Sequence, residues 1–207
     1  MHRKFLFTVG TAIGAAFLTA AFAVGQSAGT TDDQNKTMKS GTTASTTTLT
    51  ASDRAFVMEA AKGGLAEVEM GRLAAEKASN PDVKSFGQRM VDDHSKANDE
   101  LKALAQQKGI QIPTDLDAKD KATRDKLAKL SGDAFDKAYM ADMVKDHKTD
   151  VNEFKKESQQ AKDADIKAFA GKTLPTLEDH LKMAEETHGK VSGAKPAPAT
   201  KKSGYSW

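Results

Sequence analysis

Cysteine is absent from this chain of 207 residues. That excludes disulfides, thiolate metal sites, cysteine nucleophiles and a lipidated N-terminal cysteine. Aromatic side chains are scarce at 6%, and the apolar fraction of 38% is below the ordinary globular level. Long polar ends around a normal core would produce that average. No charge of one sign dominates: 31 Lys and Arg face 29 Asp and Glu, so no net field points to nucleic acid. Ten-residue runs of alternating polarity are missing, which removes an outer-membrane barrel. Gly63-Gly64 follows no strand, so it is not a phosphate loop. Ser, His and Asp occur in no nucleophile-elbow context. These absences weigh against an enzyme.

The two ends explain part of the dilution. His2, Arg3 and Lys4 precede an uncharged, Ala-, Phe- and Leu-rich stretch, and Ala21-Phe22-Ala23 offers a small-residue cleavage site. Residues 1–24 therefore read as a signal peptide, and the rest of the chain as exported, with no transmembrane segment after cleavage. Residues 25–49 are rich in Thr, Ser and Gly and hold almost nothing to bury, the composition of a disordered tether. Residues 189–207, with Pro, Lys and Ser and a terminal Tyr205 and Trp207, read as a disordered tail.

Between them, residues 50–188 show helical periodicity throughout. A first helix over about 52–78 carries Phe56, Ala60, Gly63, Glu67, Met70 and Ala74 on one stripe, and Gly63-Gly64 within it implies a close helix approach. Asn80-Pro81 is an N-cap followed by proline at the first helical position. It opens a second helix to about residue 108, with Val83, Gly87, Met90, His94, Ala97, Leu101 and Leu104 at seam spacing. Gly109 and Pro113 stop it. A short charged helix over about 116–130 follows, with Leu116, Leu127 and Leu130 as its contacts. A third long helix spans about 133–161 through Phe135, Tyr139, Met143, His147, Val151 and Phe154. A fourth starts near 163 and carries Ile166, Phe169, Thr173, Leu177, His180, Leu181 and Ala184. Pro175 inside it should produce a kink. The expected fold is all-α: a ferritin-like up-down-up-down four-helix bundle with a short extra helix between helices two and three.

One stretch recurs. MVDDHSKANDELK over residues 90–102 returns as MVKDHKTDVNEFK over 143–155, and Leu177-Glu178-Asp179-His180-Leu181 is a fainter echo. Each copy puts a histidine on the apolar stripe. Counting at about 1.5 Å per residue, Glu67, His94, His147 and His180 converge near mid-height of the bundle. Three imidazoles and a carboxylate suit Zn, Cu or Fe. The alternative is a satisfied polar layer of histidines bonded to one another, to Glu67 or to water. In up-down-up-down order Met90 would lie above this layer and Met143 below it, so the methionines read as core filler rather than one thioether cluster. Residues Val91, Val144 and Leu177 stand three before the histidines, where a ferritin di-iron site needs glutamate. Only Glu185/His188 has that spacing. Asp93, Asp146 and Asp179 lie about 100° round the helix from their own histidines, so each could reach only a neighbouring helix or water.

The residues Ala60 to Gly71 (AAKGGLAEVEMG), with MVDDH, MVKDH and Leu174 to Leu181 (LPTLEDHL), resemble the domain-of-unknown-function family 4142 over about residues 50–186. Its members are bacterial proteins often labelled exported or outer-membrane. The resemblance implies a ferritin-like four-helix bundle and no assigned activity. The function expected is thus that of an exported, non-catalytic bundle of the bacterial envelope. It would lie in the periplasm, be secreted or associate with the outer membrane, acting on envelope partners or in stress tolerance. The alternative is a transition-metal-binding module at Glu67, His94, His147 and His180.

Overall fold

The structure, a computed structural model, describes residues 49–193. The expected signal peptide, most of the tether and most of the tail lie outside the described residues. Five helices occur among the described residues: α1 (Ala51–Lys77), α2 (Pro81–Gln107), α3 (Ala118–Ala128), α4 (Gly132–Gln160) and α5 (Ala164–Ser192). No strand occurs among the described residues. No helix among them is long and apolar enough to cross a membrane.

Local chemistry sets the helix ends. Thr50 and Asp53 form a reciprocal capping box on α1. Asn80 caps α2 ahead of Pro81, and Asp163 caps α5 through the amides of Asp165 and Ile166. Gly109, at φ 64°, ends α2 in the left-handed conformation that disfavours other residues. The helix α5 continues unbroken through Pro175 and runs to Ser192, four residues into the expected tail. Thr173 Oγ1 donates to the Phe169 carbonyl at 2.9 Å just before that proline.

Contacts at the ends fix the order of the helices. The Asp136 carboxylate, near the start of α4, accepts from the amides of Ser79 and Asn80 at 3.1 and 2.8 Å, just beyond the end of α1. At the other end of the bundle, Asp53 accepts from the Lys162 amide at 3.0 Å. Lys108 after α2 pairs with Asp163 and Asp165 before and in α5 at 2.7 and 2.6 Å. Thus α4 runs antiparallel to α1 and parallel to α2. This corrects the expected up-down-up-down order: the four long helices run up, down, down, up. The segment from Ile110, packed in the lower core, to Leu116, packed in the upper, carries the chain back along the bundle before α3. The expectation failed because that segment has no periodicity and so reveals nothing of its direction. α1 packs mainly on α2 and α4 on α5.

The interior has two apolar ends. The upper one holds Met70, Ala74, Val83, Phe86, Met90, Phe135, Tyr139, Met140 and Met143. The lower one holds Phe56, Val57, Leu101, Phe154, Ile166, Phe169 and Leu177. Glu67, His94, His147 and His180 belong to neither and lie between them, all buried.

The close helix crossing is not at Gly63-Gly64. A methyl group at Gly63 would meet nothing, and one at Gly64 would meet only the Asn98 side chain. At Gly87, a Cβ would lie 2.8 Å from the Gly71 carbonyl oxygen and 2.8 Å from Ala74 Cβ. Backbone leaves no room there, so Gly87→Ala should destabilise the fold by about 1–3 kcal/mol, the range for overpacking. Urea denaturation measures this; a loss below about 0.5 kcal/mol would show that α1 and α2 separate freely.

Candidate metal centre

Each long helix supplies one polar residue to the middle layer, because each carries that residue on its apolar stripe. Fractional exposure is 2% for Glu67, 6% for His94 and 0% for His147 and His180. The three imidazole centroids are 5.2, 5.4 and 5.7 Å apart. One ligand nitrogen from each ring lies within 4.8 Å of the others. The structure therefore brings together all four residues singled out in the sequence.

The hydrogen bonding explains what these rings can do. His147 Nδ1 donates to the Met143 carbonyl at 3.1 Å, which leaves Nε2 as a lone pair. His180 Nε2 donates to Asp93 Oδ2 at 3.0 Å, which leaves Nδ1 as a lone pair. His94 Nδ1 lies 2.8 Å from Glu67 Oε2; with Glu67 ionised it donates there, and Nε2 is the free end. His94 Nε2, His147 Nε2 and His180 Nδ1 are all buried without a partner, as is Glu67 Oε1. His147 Nε2 comes within 3.3 Å of Glu67 Oε1, but neither atom makes a hydrogen bond. With Glu67 ionised the three are bare acceptors, which cannot satisfy one another; with Glu67 protonated, His94 Nε2 carries a proton and still has no partner. A satisfied polar layer of histidines alone is thus not what the geometry contains; the group needs donors or a cation.

Charge states fit that need. Burial holds His94 down to about 4 and His180 to about 4, the latter against the pull of Asp93. Burial, with the two neighbouring imidazoles, holds His147 at about 3. All three are neutral at neutral pH, the form that ligates metals. Glu67 is pushed well up by burial and by Asp146.

Two residues were missed as part of the site. Asp150 sits three residues after His147, and Glu67, His147 and Asp150 also form a group of ligand atoms within 4.8 Å. Burial and the neighbouring Glu67 carboxyl raise Asp150 to about 9, and burial raises Glu67 as well. The signal was available: a carboxylate on the stripe between His147 and Phe154, where the first repeat has Ala97. Asp93 was expected to reach a neighbouring helix or water; it reaches α5, holding His180 while Arg89 holds it at 3.0 Å. Asp179 is exposed. Glu185 pairs with Lys148 on the surface, and His188 is not part of the cluster, so the one Glu-x-x-His spacing takes no part in the site. A cavity of about 20 Å³ adjoins the layer on its lower side, lined by Gly64, Glu67, His94, Asn98 and Asp150 among others. That is room for about one water.

Fold and site together define an all-helical bundle with a buried histidine–carboxylate centre. The chain belongs to the family described as "Domain of unknown function (DUF4142)", whose profile matches residues 38–187. Among solved structures it is similar to a DUF305 fragment from Deinococcus radiodurans, at a TM-score of 0.61 and 12% identity, covering 69% of this chain and 98% of that one. It is also similar to the "putative secreted protein DUF305" from Streptomyces coelicolor, at a TM-score of 0.58 and 15% identity, covering 70% and 96%. At these identities the likeness is one of fold. No curated protein matches the chain.

Proposed function

We infer that this is an exported helical-bundle protein that holds a transition-metal cation on His94, His147 and His180, with Glu67 as a fourth ligand. The observation that carries the reading is the set of three buried ring nitrogens without partners, each on a ring whose other nitrogen faces an acceptor. A divalent cation supplies these three nitrogens with a common partner. It also returns Glu67 to the carboxylate, which secures the His94 tautomer. Three nitrogens and an oxygen suit Zn or Cu, and Fe less well in the absence of Glu-x-x-His pairs. The role is to hold or buffer the cation rather than to turn over a substrate, since the ligands are almost fully enclosed.

Export to the periplasm or beyond rests on the charged and apolar N-terminal pattern ending at Ala21-Phe22-Ala23. The description of the Streptomyces neighbour is in keeping with it. The single crossover between α2 and α4 supports a ferritin-like connectivity. An interaction role in the envelope, with the balanced charge of the outer faces as its basis, is compatible with a metal centre inside.

Metal analysis of protein purified without a histidine tag tests the reading. The native protein should retain close to one equivalent, and His94→Ala/His147→Ala should retain none. Equal metal content in both would dispose of the centre. Asp93→Asn should weaken affinity by roughly 10- to 100-fold, the usual effect of losing the group that orients a ligating histidine. An unchanged affinity would mean that His180 is not a ligand.

A further inference from the structure

The histidine layer has a neighbour made of sulfur. Glu67, His94, His147 and His180 each have a methionine about one helical turn away: Met70, Met90, Met143 and Met183. On α1 and α5, which run upwards, the methionine follows the site residue by three. On α2 and α4, which run downwards, it precedes by four. All four therefore lie on the upper side of the layer. This reverses the sequence-based expectation, which placed Met90 and Met143 on opposite sides.

Packing agrees with the arithmetic. Met70, Met90 and Met143 belong to one buried cluster, at 3%, 0% and 0% exposure, and Met183 packs against its edge. Met183 is differently engaged, because its sulfur accepts from Arg89 Nη1 at 3.5 Å; a cationic donor on that sulfur removes it from the set. Tyr139 shares the cluster, fully buried, and its hydroxyl has no partner. Leucine would fill this core as well as methionine does. Filling alone does not account for sulfur recurring on one side of the layer in helices of opposite direction. Thioether sulfur is a soft donor that selects Cu(I).

We propose that Met70, Met90 and Met143 form a copper(I) site stacked on the histidine layer, so that the cation this bundle carries is copper. The proposal rests on the reading of the histidine layer as a metal centre, and the experiment separates the two. Untagged full-length protein is titrated with Cu(I) against a chromophoric Cu(I) chelator in the absence of oxygen, and with Zn(II) in parallel. X-ray absorption at the copper edge is recorded on the native Cu(I) protein. Native protein should show sulfur neighbours around copper. Met70→Leu/Met90→Leu/Met143→Leu, a nearly volume-conserving change, should lose Cu(I) affinity by at least the roughly 10- to 100-fold seen for an outer-shell partner, with Zn(II) affinity kept. A copper edge without sulfur, or unchanged Cu(I) affinity in the triple variant, overturns the thioether site and leaves the histidine centre standing where Zn(II) still binds. Native protein that binds neither metal overturns both. The absorption measurement needs no variant, so a triple variant that fails to fold does not remove the test.

Discussion

Saturation with a divalent metal should raise the melting temperature of the native protein by roughly 10 °C, and that of His94→Ala/His147→Ala by nothing measurable. A ligand bound only by the folded state stabilises it by about 4 kcal/mol at a thousand times its dissociation constant. For a domain of this size each kcal/mol moves the midpoint by about 2–4 °C. The effect is large here because the metal-free layer is costly: three ring nitrogens and a carboxyl oxygen are buried with nothing to bond. The metal removes that cost as well as adding its own bonds. Calorimetry with chelator and with metal measures both midpoints. Equal gains in native and variant protein would place the metal somewhere other than on these rings.

The metal-free protein should be most stable near pH 6.5 and weaken on both sides. The three histidines have folded values of about 4, 3 and 4, below the value of about 6.5 in an unfolded chain. Between about pH 6.5 and 4 the unfolded chain takes up protons there that the folded one does not. Stability from these groups is thus present above 6.5 and lost on acidification. Asp150 behaves oppositely. Its folded value of about 9 lies far above that of an exposed aspartate, so its contribution is complete at low pH and lost as pH rises towards 9. Glu67, also raised by burial, acts in the same direction. Below 6.5 the three histidines outweigh the two acids; above it the histidines no longer titrate and the acids alone act. Each unmatched proton changes stability by roughly 1.4 kcal/mol per pH unit. Bound metal keeps Glu67 ionised in the folded state, so the alkaline loss should shrink. Urea melts at pH 5.5, 6.5 and 8.5, with chelator and with metal, report this. Metal-free stability that climbs steadily from 6.5 to 8.5 would contradict the raised carboxyls of Glu67 and Asp150.

Asp93 and Asp150 show how the site was only half visible from the chain. The imidazoles were legible because a histidine on an apolar stripe at a fixed helical spacing stands out. Asp93 lies on the flank of its own helix and gains its role from α5, which no periodicity on α2 reveals. Asp150 is in register with the stripe of α4, but a single charged residue there reads as readily as an edge position. The methionines mark the sharper failure, since Met90 and Met143 change from opposite sides to one side when a single connection changes direction.

Helix identity, helix limits and the polar residue on each seam follow from the order of the residues, because caps such as Thr50/Asp53 and Asn80-Pro81 and a 3.6-residue period act within a turn or two of chain. Which way α4 runs does not follow from it. That depends on the unpatterned crossover at 110–116 and on remote latches such as Asp136 on Ser79 and Asn80, whose partners become neighbours only when the bundle closes. From that one choice of direction come the stacking of the thioethers on the imidazoles and the meeting of Asp93 with His180.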